Sequence, residues 1–191
     1  MTLREQKILS AIKHFANHTK YLGRTKLFKL LYFWDFRYFS KHGKSITGFD
    51  YKTYKFGPVP EELFNKIING DLPKGFEKHL AFESETLFDE DDSFQRFNVK
   101  SLNKEVDYSC FTKYELDELK EVVEIFADCT AKDIVESTHL PNTPWTKTKN
   151  EKGMNQSIDY FLAINEKTKL DLEEIRERFS LHGEFTHNGY N

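Results

Sequence analysis

The residues of this chain that could do chemistry are few and dispersed. Cys110, with His139 or His79 as its base, would form the thiol and imidazole of a nucleophilic site. No spacing brings them together, and no glycine-rich turn offers an oxyanion hole. Asp35 is the only acid in the run Thr25–Asp35, which is otherwise apolar and basic. It could serve as a general base, but it lacks an obvious accomplice, and a buried structural acid that ties helix to loop is the plainer reading. The seven histidines lack the i, i+4 or H-E-x-x-H spacing that puts two ligands on one helical face, and the two cysteines form no C-x-x-C half-site. There is no Walker A loop and no G-x-G-x-x-G turn. These patterns predict no enzyme, no metal and no cofactor. Tyr51, Lys52, Tyr54, Lys55 and Phe56 interleave aromatic and basic side chains. That pattern suits a protein interface or a stacking platform for single-stranded nucleic acid, and does not choose between them.

The elements that position these groups are legible from caps and periodicity. Thr2-Leu3-Arg4-Glu5 is a capping box that opens a first helix with Ile8, Leu9, Ile12 and Phe15 on its apolar face and a stop near Asn17. Thr25 caps a second helix that ends at His42-Gly43. On a helical wheel Lys26, Lys29, Phe33, Arg37 and Ser40 share one stripe, and most of the remaining arc is apolar. Asp35 lies nearly opposite the stripe among Phe28, Leu31 and Phe39. A buried carboxylate must have a partner there. The backbone amides of a helix start announced by Pro58 and Pro60, or a distant donor such as Trp145, would serve.

Phe49 to Phe56 reads as a short aromatic strand, Gly57 as an abrupt turn, and Pro58 to Glu62 as the start of a helix that runs to Asn69-Gly70. The acidic run Glu83–Asp92 reads as a solvated loop, and Phe94–Val99 as a second strand pairing with the aromatic one. Capping boxes at Thr112 and Thr130 open two further helices. Pro141 and Pro144 predict an irregular segment presenting Trp145. Two weaker helical stretches follow, near 158–165 and 170–179, and then a polar tail expected to be disordered.

Composition sets the class. Hydrophobic residues are only 38%, but aromatics reach 15%, including 18 Phe, so fewer and larger side chains can still fill a core. The expectation is an α+β fold, mainly helical, with about five to seven helices around the central apolar helix and a small antiparallel sheet. No apolar run approaches the ~20 residues a bilayer needs, so no membrane contact and a cytoplasmic location are expected. The charge is uneven. Through Lys55 there are 12 Lys and Arg against 3 Asp and Glu, and the rest has 16 against 28. This asymmetry implies either a nucleic-acid face or an attraction between two parts of the chain.

The order K-L-x-K-L-L-Y-F-x-D over Lys26–Asp35, then Ile46-Thr47-Gly48, then Phe56-Gly57-Pro58-Val59, and finally His139 and Trp145 resembles the SocA-like family with a DUF4065, or Panacea, domain. The similarity covers about residues 5 to 150. It implies a bacterial or phage-encoded cytoplasmic antitoxin that neutralises a cognate toxin by direct binding. One family member is a proteolysis adaptor delivering its toxin to a AAA+ protease, and an autoregulator binding its own promoter DNA through the basic stripe is a further alternative. The resemblance singles out Lys29, Tyr32, Asp35, Gly48, Tyr54, Gly57, Pro58, His139 and Trp145 as structural or partner-binding. For Trp145 and His139 two readings stand: closing a pocket between helices, or touching the toxin. Residues 1–150 would form the family domain. Residues 151–191 would be a helical, partner-choosing extension whose removal from residue 154 leaves a folded core.

Overall fold

The computed structural model describes residues 1–89, 92–166 and 168–187. Among them are seven α-helices and two separate two-stranded antiparallel sheets, the α+β and mainly helical arrangement expected. Helix α1 (Leu3–His18) opens on the Thr2 capping box. Helix α2 (Arg24–His42) starts one residue before Thr25, on Gly23, which has no capping side chain, and ends on left-handed Gly43. Twelve residues of α2 are buried, including Lys26, Lys29 and Asp35, so it is the axis of the core rather than a surface helix.

The hairpin pairings differ from the sequence reading. Strand β1 (Tyr51–Tyr54) turns through Lys55-Phe56 and pairs with β2 (Gly57–Pro60), not with a distant segment. The prolines therefore belong to a strand. Lacking N–H donors, they suit a short edge strand, and the helix itself, α3 (Glu61–Asn69), begins on the acids that favour its N-terminus. Strand β3 (Leu80–Asp89) pairs with β4 (Asp92–Ser101) over ten registered positions. Most of the acidic run is thus strand rather than loop. Periodicity hid it because cross-strand pairing between two segments leaves no local signal in an acidic composition. Residues 90 and 91 of that run, and the tail at 188–191, lie outside the described residues.

Helices α4 (Lys113–Phe126) and α5 (Ala131–Thr138) follow capping boxes at Thr112 and Thr130, as expected. Helix α6 (Pro144–Lys152) replaces the predicted irregular segment. Pro144 occupies its first turn, where a missing N–H costs nothing, and the Thr143 side chain caps it. A 3-10 turn (Tyr160–Ala163) and α7 (Leu172–His187) complete the order.

Part of the charge asymmetry is met inside the molecule. Lys7 meets Glu115 at 2.7 Å, Arg37 meets Glu118 at 2.5 Å and also Glu121, and Lys41 reaches the same two acids. Three cations of the basic first third thus meet the acidic face of α4.

Packing also crosses residue 150. Thr53 donates its backbone N–H to Gln156 and accepts from Asn155, and Ile158 donates to Tyr51, so residues 155–158 lie along β1 like a third strand. Ile158 is 3% exposed, and Tyr160 stacks on Phe36 while donating to the Phe49 carbonyl. A chain ending at residue 153 should lose cooperative urea unfolding and near-ultraviolet dichroism, because β1 and the Phe36 ring are uncovered. A chain ending after Asn165 should retain both. Two-state unfolding of the shorter form would show that residues 155–164 are dispensable.

Candidate functional site

The singled-out residues converge around α2. Asp35 is fully buried and accepts four hydrogen bonds: backbone N–H of Ile46 (2.8 Å) and Thr47 (2.9 Å), the Thr47 hydroxyl, and the Tyr51 hydroxyl (2.8 Å). Its partner is therefore the loop after α2, not the start of α3 and not Trp145. The carboxylate reaches back to a loop only eleven residues downstream, made possible when left-handed Gly43 ends α2. Burial pushes its pKa up while the four donors oppose that. Every acceptor direction is occupied, which suits a clasp better than a base that must meet substrate. Gly48 sits in that loop at φ +64. Thr47, unremarked in sequence, completes the clasp by also accepting from Phe49 N–H. Its place in Ile46-Thr47-Gly48 was the available signal.

The basic stripe faces inward. Lys26, 0% exposed, donates to the carbonyls of Lys20, Ala127 and Cys129, the last two at the end of α4 where carbonyls lack helical partners. Lys29, 1% exposed, has only the Pro58 carbonyl, at 3.0 Å, among the described residues. Desolvation lowers its pKa to about 7. Gly57 is packed against it: at φ +93, a Cβ there would sit 2.7 Å from both Lys29 Cε and Thr138 Oγ1.

His139 and Trp145 stack with ring centroids 3.9 Å apart, and Trp145 is 3% exposed, so the pair closes the space between α5 and α6. Their His139 Nε2 and Trp145 Nε1 atoms, and the Tyr32 hydroxyl, are buried without hydrogen-bond partners among the described residues. They do not satisfy Asp35. Tyr54 packs on Phe64 and contacts Glu61, while Tyr51 is buried, leaving Phe56 as the exposed ring of the hairpin. A stack of accessible aromatics is not formed there.

Cys110 donates to the Asp107 carbonyl, and burial raises its pKa, the reverse of an activated thiol. His79 contacts Asn103 instead. Among the described residues no group of acids, histidines and cysteines could hold a metal ion, and no helix is long and apolar enough to cross a membrane.

A buried acid clasp, two inward lysines and a stacked His–Trp pair are internal contacts of a mainly helical α+β domain. The sequence matches the family described as "Antitoxin SocA-like, Panacea domain" over residues 27–146, well over half of the chain, and the chain belongs to that family. No curated protein and no solved structure matches it.

Two predictions separate structural from chemical roles. Asp35→Asn keeps an oxygen for the two amides while the hydroxyls of Thr47 and Tyr51 can turn to accept, so its cost should stay within about 1.5 kcal/mol. Asp35→Leu strands four donors and should cost about 3–5 kcal/mol by urea titration. Equal damage from both would mean the negative charge itself is required. The amine of Lys29 has a folded pKa below its unfolded one, so the unfolded chain binds the extra proton between about pH 7 and 10.5. Wild-type stability, relative to Lys29→Met, should therefore rise with pH from 7 upward by up to ~1.4 kcal/mol per unit. Parallel urea titrations of the two proteins at several pH values read this directly; a difference independent of pH would refute a depressed pKa.

Proposed function

We propose that this chain is the antitoxin of a bacterial or phage toxin–antitoxin pair and that it neutralises its toxin in the cytoplasm by stoichiometric binding, without catalysis. The observation that carries the reading is the family match over residues 27–146, which spans Lys29 to Trp145. The geometry supports it, since the buried motif side chains fix a rigid frame and leave recognition to the residues around it. Partner choice is assigned to the surface outside the matched region, where α7 packs Ile175 into the core and Phe179 against Phe39 yet leaves Leu172 and Leu181 about half exposed. Apolar side chains of that kind on a packed helix suit a protein contact.

Promoter binding through the basic stripe finds no support, because Lys26 and Lys29 are buried and Arg37 is paired with Glu118 and Glu121. Proteolytic delivery shares the toxin contact and adds a requirement for the protease.

Co-expression with the product of the adjacent gene should rescue growth and yield a complex through one tagged partner. Leu172→Asp together with Leu181→Asp should weaken that complex at least tenfold while leaving the melting temperature of the free chain unchanged within a few degrees. A harmless neighbour that never co-purifies would overturn the antitoxin reading. Rescue lost only in cells lacking the protease would replace occlusion with delivery.

A further inference from the structure

A positive charge is left uncompensated beside the turn between α1 and α2. Arg4, Arg37 and Arg178 each meet a carboxylate, whereas Arg24 meets none among the described residues, and none of its N–H groups has a hydrogen-bond acceptor there. It is half-buried instead, with its Cζ over the rings of Phe64, from α3, and Phe97, from β4, 5.2 and 4.0 Å from their centroids. Cation–π contacts hold a guanidinium in place without neutralising it. Desolvation lowers the Arg24 pKa, and no acid among the described residues opposes the shift.

The fold builds this position. Leu22 accepts from the Val99 N–H at 2.8 Å, Gly23 bridges to Asn98, and a Cβ on Gly23 would lie 2.9 Å from the Phe97 carbonyl oxygen, so a glycine is what lets β4 bring Phe97 to Arg24. On the other side of the turn Lys20 donates its backbone N–H to Ala127. Between these two anchored neighbours Tyr21 sits at φ +57, an uncommon backbone for a tyrosine, with the side chain 76% exposed. Ile68, one turn after Phe64 on the same side of α3, is 54% exposed. Tyr21 and Arg24 both precede residues 27–146, the stretch matched to the family.

We propose that the face centred on Arg24, with Tyr21, Phe64, Ile68 and Phe97 around it, is a contact surface for a partner protein that sets a carboxylate side chain against the guanidinium and apolar side chains against the rings. The planar fork of an arginine matches a carboxylate through two parallel N–H···O bonds, and arginine and tyrosine are among the side chains that concentrate binding energy at protein contacts. A nucleic acid fits less well, since it asks for several free cations while Lys20 and Lys100 beside this face are already paired with Asp128 and Glu83. The partner's identity as the toxin rests on the antitoxin reading; the surface itself does not.

The test has two arms, both on the full purified chain. In the first, amide chemical shifts in two-dimensional NMR follow a titration with the peptide acetyl-Leu-Glu-Phe-amide, with acetyl-Leu-Gln-Phe-amide as the uncharged control. Saturable shifts should centre on residues 21–25, 64–68 and 97–99, and the control should bind about tenfold more weakly, the loss expected for one charge-assisted pair. Shifts on another surface, equal binding of the two peptides, or no saturation would overturn the surface. In the second arm, affinity for the adjacent gene's product should fall by about tenfold or more for Arg24→Gln, with a flatter salt dependence. Tyr21→Gly removes an exposed ring and suits the left-handed backbone, so it should weaken the complex several-fold while the melting temperature of the free chain stays within a few degrees. Unchanged affinity in both variants would remove the toxin as the occupant. A product that never binds the wild-type chain overturns the antitoxin reading alone, and the peptide arm still decides the surface.

Discussion

Helix α2 buries twelve of its residues, and each charged side chain among them is answered by another segment. That constraint arranges most of the molecule. Asp35 gathers the loop from Ile46 to Tyr51 and so fixes where β1 begins. Lys29 holds β2 at Pro58, Lys26 takes the carbonyls at the end of α4, and Trp34 donates its indole N–H to the Glu115 carbonyl at the start of the same helix. Farther along, Arg37 and Lys41 anchor the middle of α4 through Glu118 and Glu121. One helix thus sets the position of a loop, a hairpin and a second helix by polar contacts that have few alternatives.

Such contacts contribute more to uniqueness than to net stability. Removing a charge from water costs several kcal/mol, and its partners return roughly that amount when geometry is good. The two lysines show the range. Lys26 finds three carbonyl acceptors for its three protons, whereas Lys29 finds one and is held with a pKa near 7. Lys29 is tolerated because its aliphatic stem fills the space that Gly57 leaves open, and a glycine at φ +93 is the residue that permits both the turn and the approach. The apolar contacts supply the driving force, with Phe36, Tyr51 and Tyr160 stacked or edge-on in one cluster and Phe33 stacked on Phe126.

Local signals in the sequence carried the helices well, because capping boxes at Thr2, Thr112 and Thr130 are chemical patterns of neighbouring residues. The strands were less readable. Whether β1 meets β2 or β4 depends on pairing between segments, and β3 lies in an acidic stretch whose composition mimics a loop. The wheel correctly isolated the Lys26, Lys29 and Arg37 stripe but could not say which way it faced, since amphipathicity locates a polar face and not what covers it. Asp35 was recognised as needing a partner. The partner itself was missed because a loop amide carries no side-chain signature, and only Thr47 and Tyr51 could have hinted at it.

The separation between buried motif and free surface constrains how recognition can work in this chain. A side chain at 0–1% exposure cannot touch a partner unless the core opens, which excludes Lys26, Lys29, Asp35 and Tyr51 from a rigid docking surface. Opening is expensive here, because each of these groups would leave its buried partners unpaired as it left its site. Tyr32 falls under the same limit, since it is 1% exposed and its hydroxyl is itself buried. Residues that are saturated by the fold specify the frame, and a contact with another molecule falls to the side chains that remain outside it.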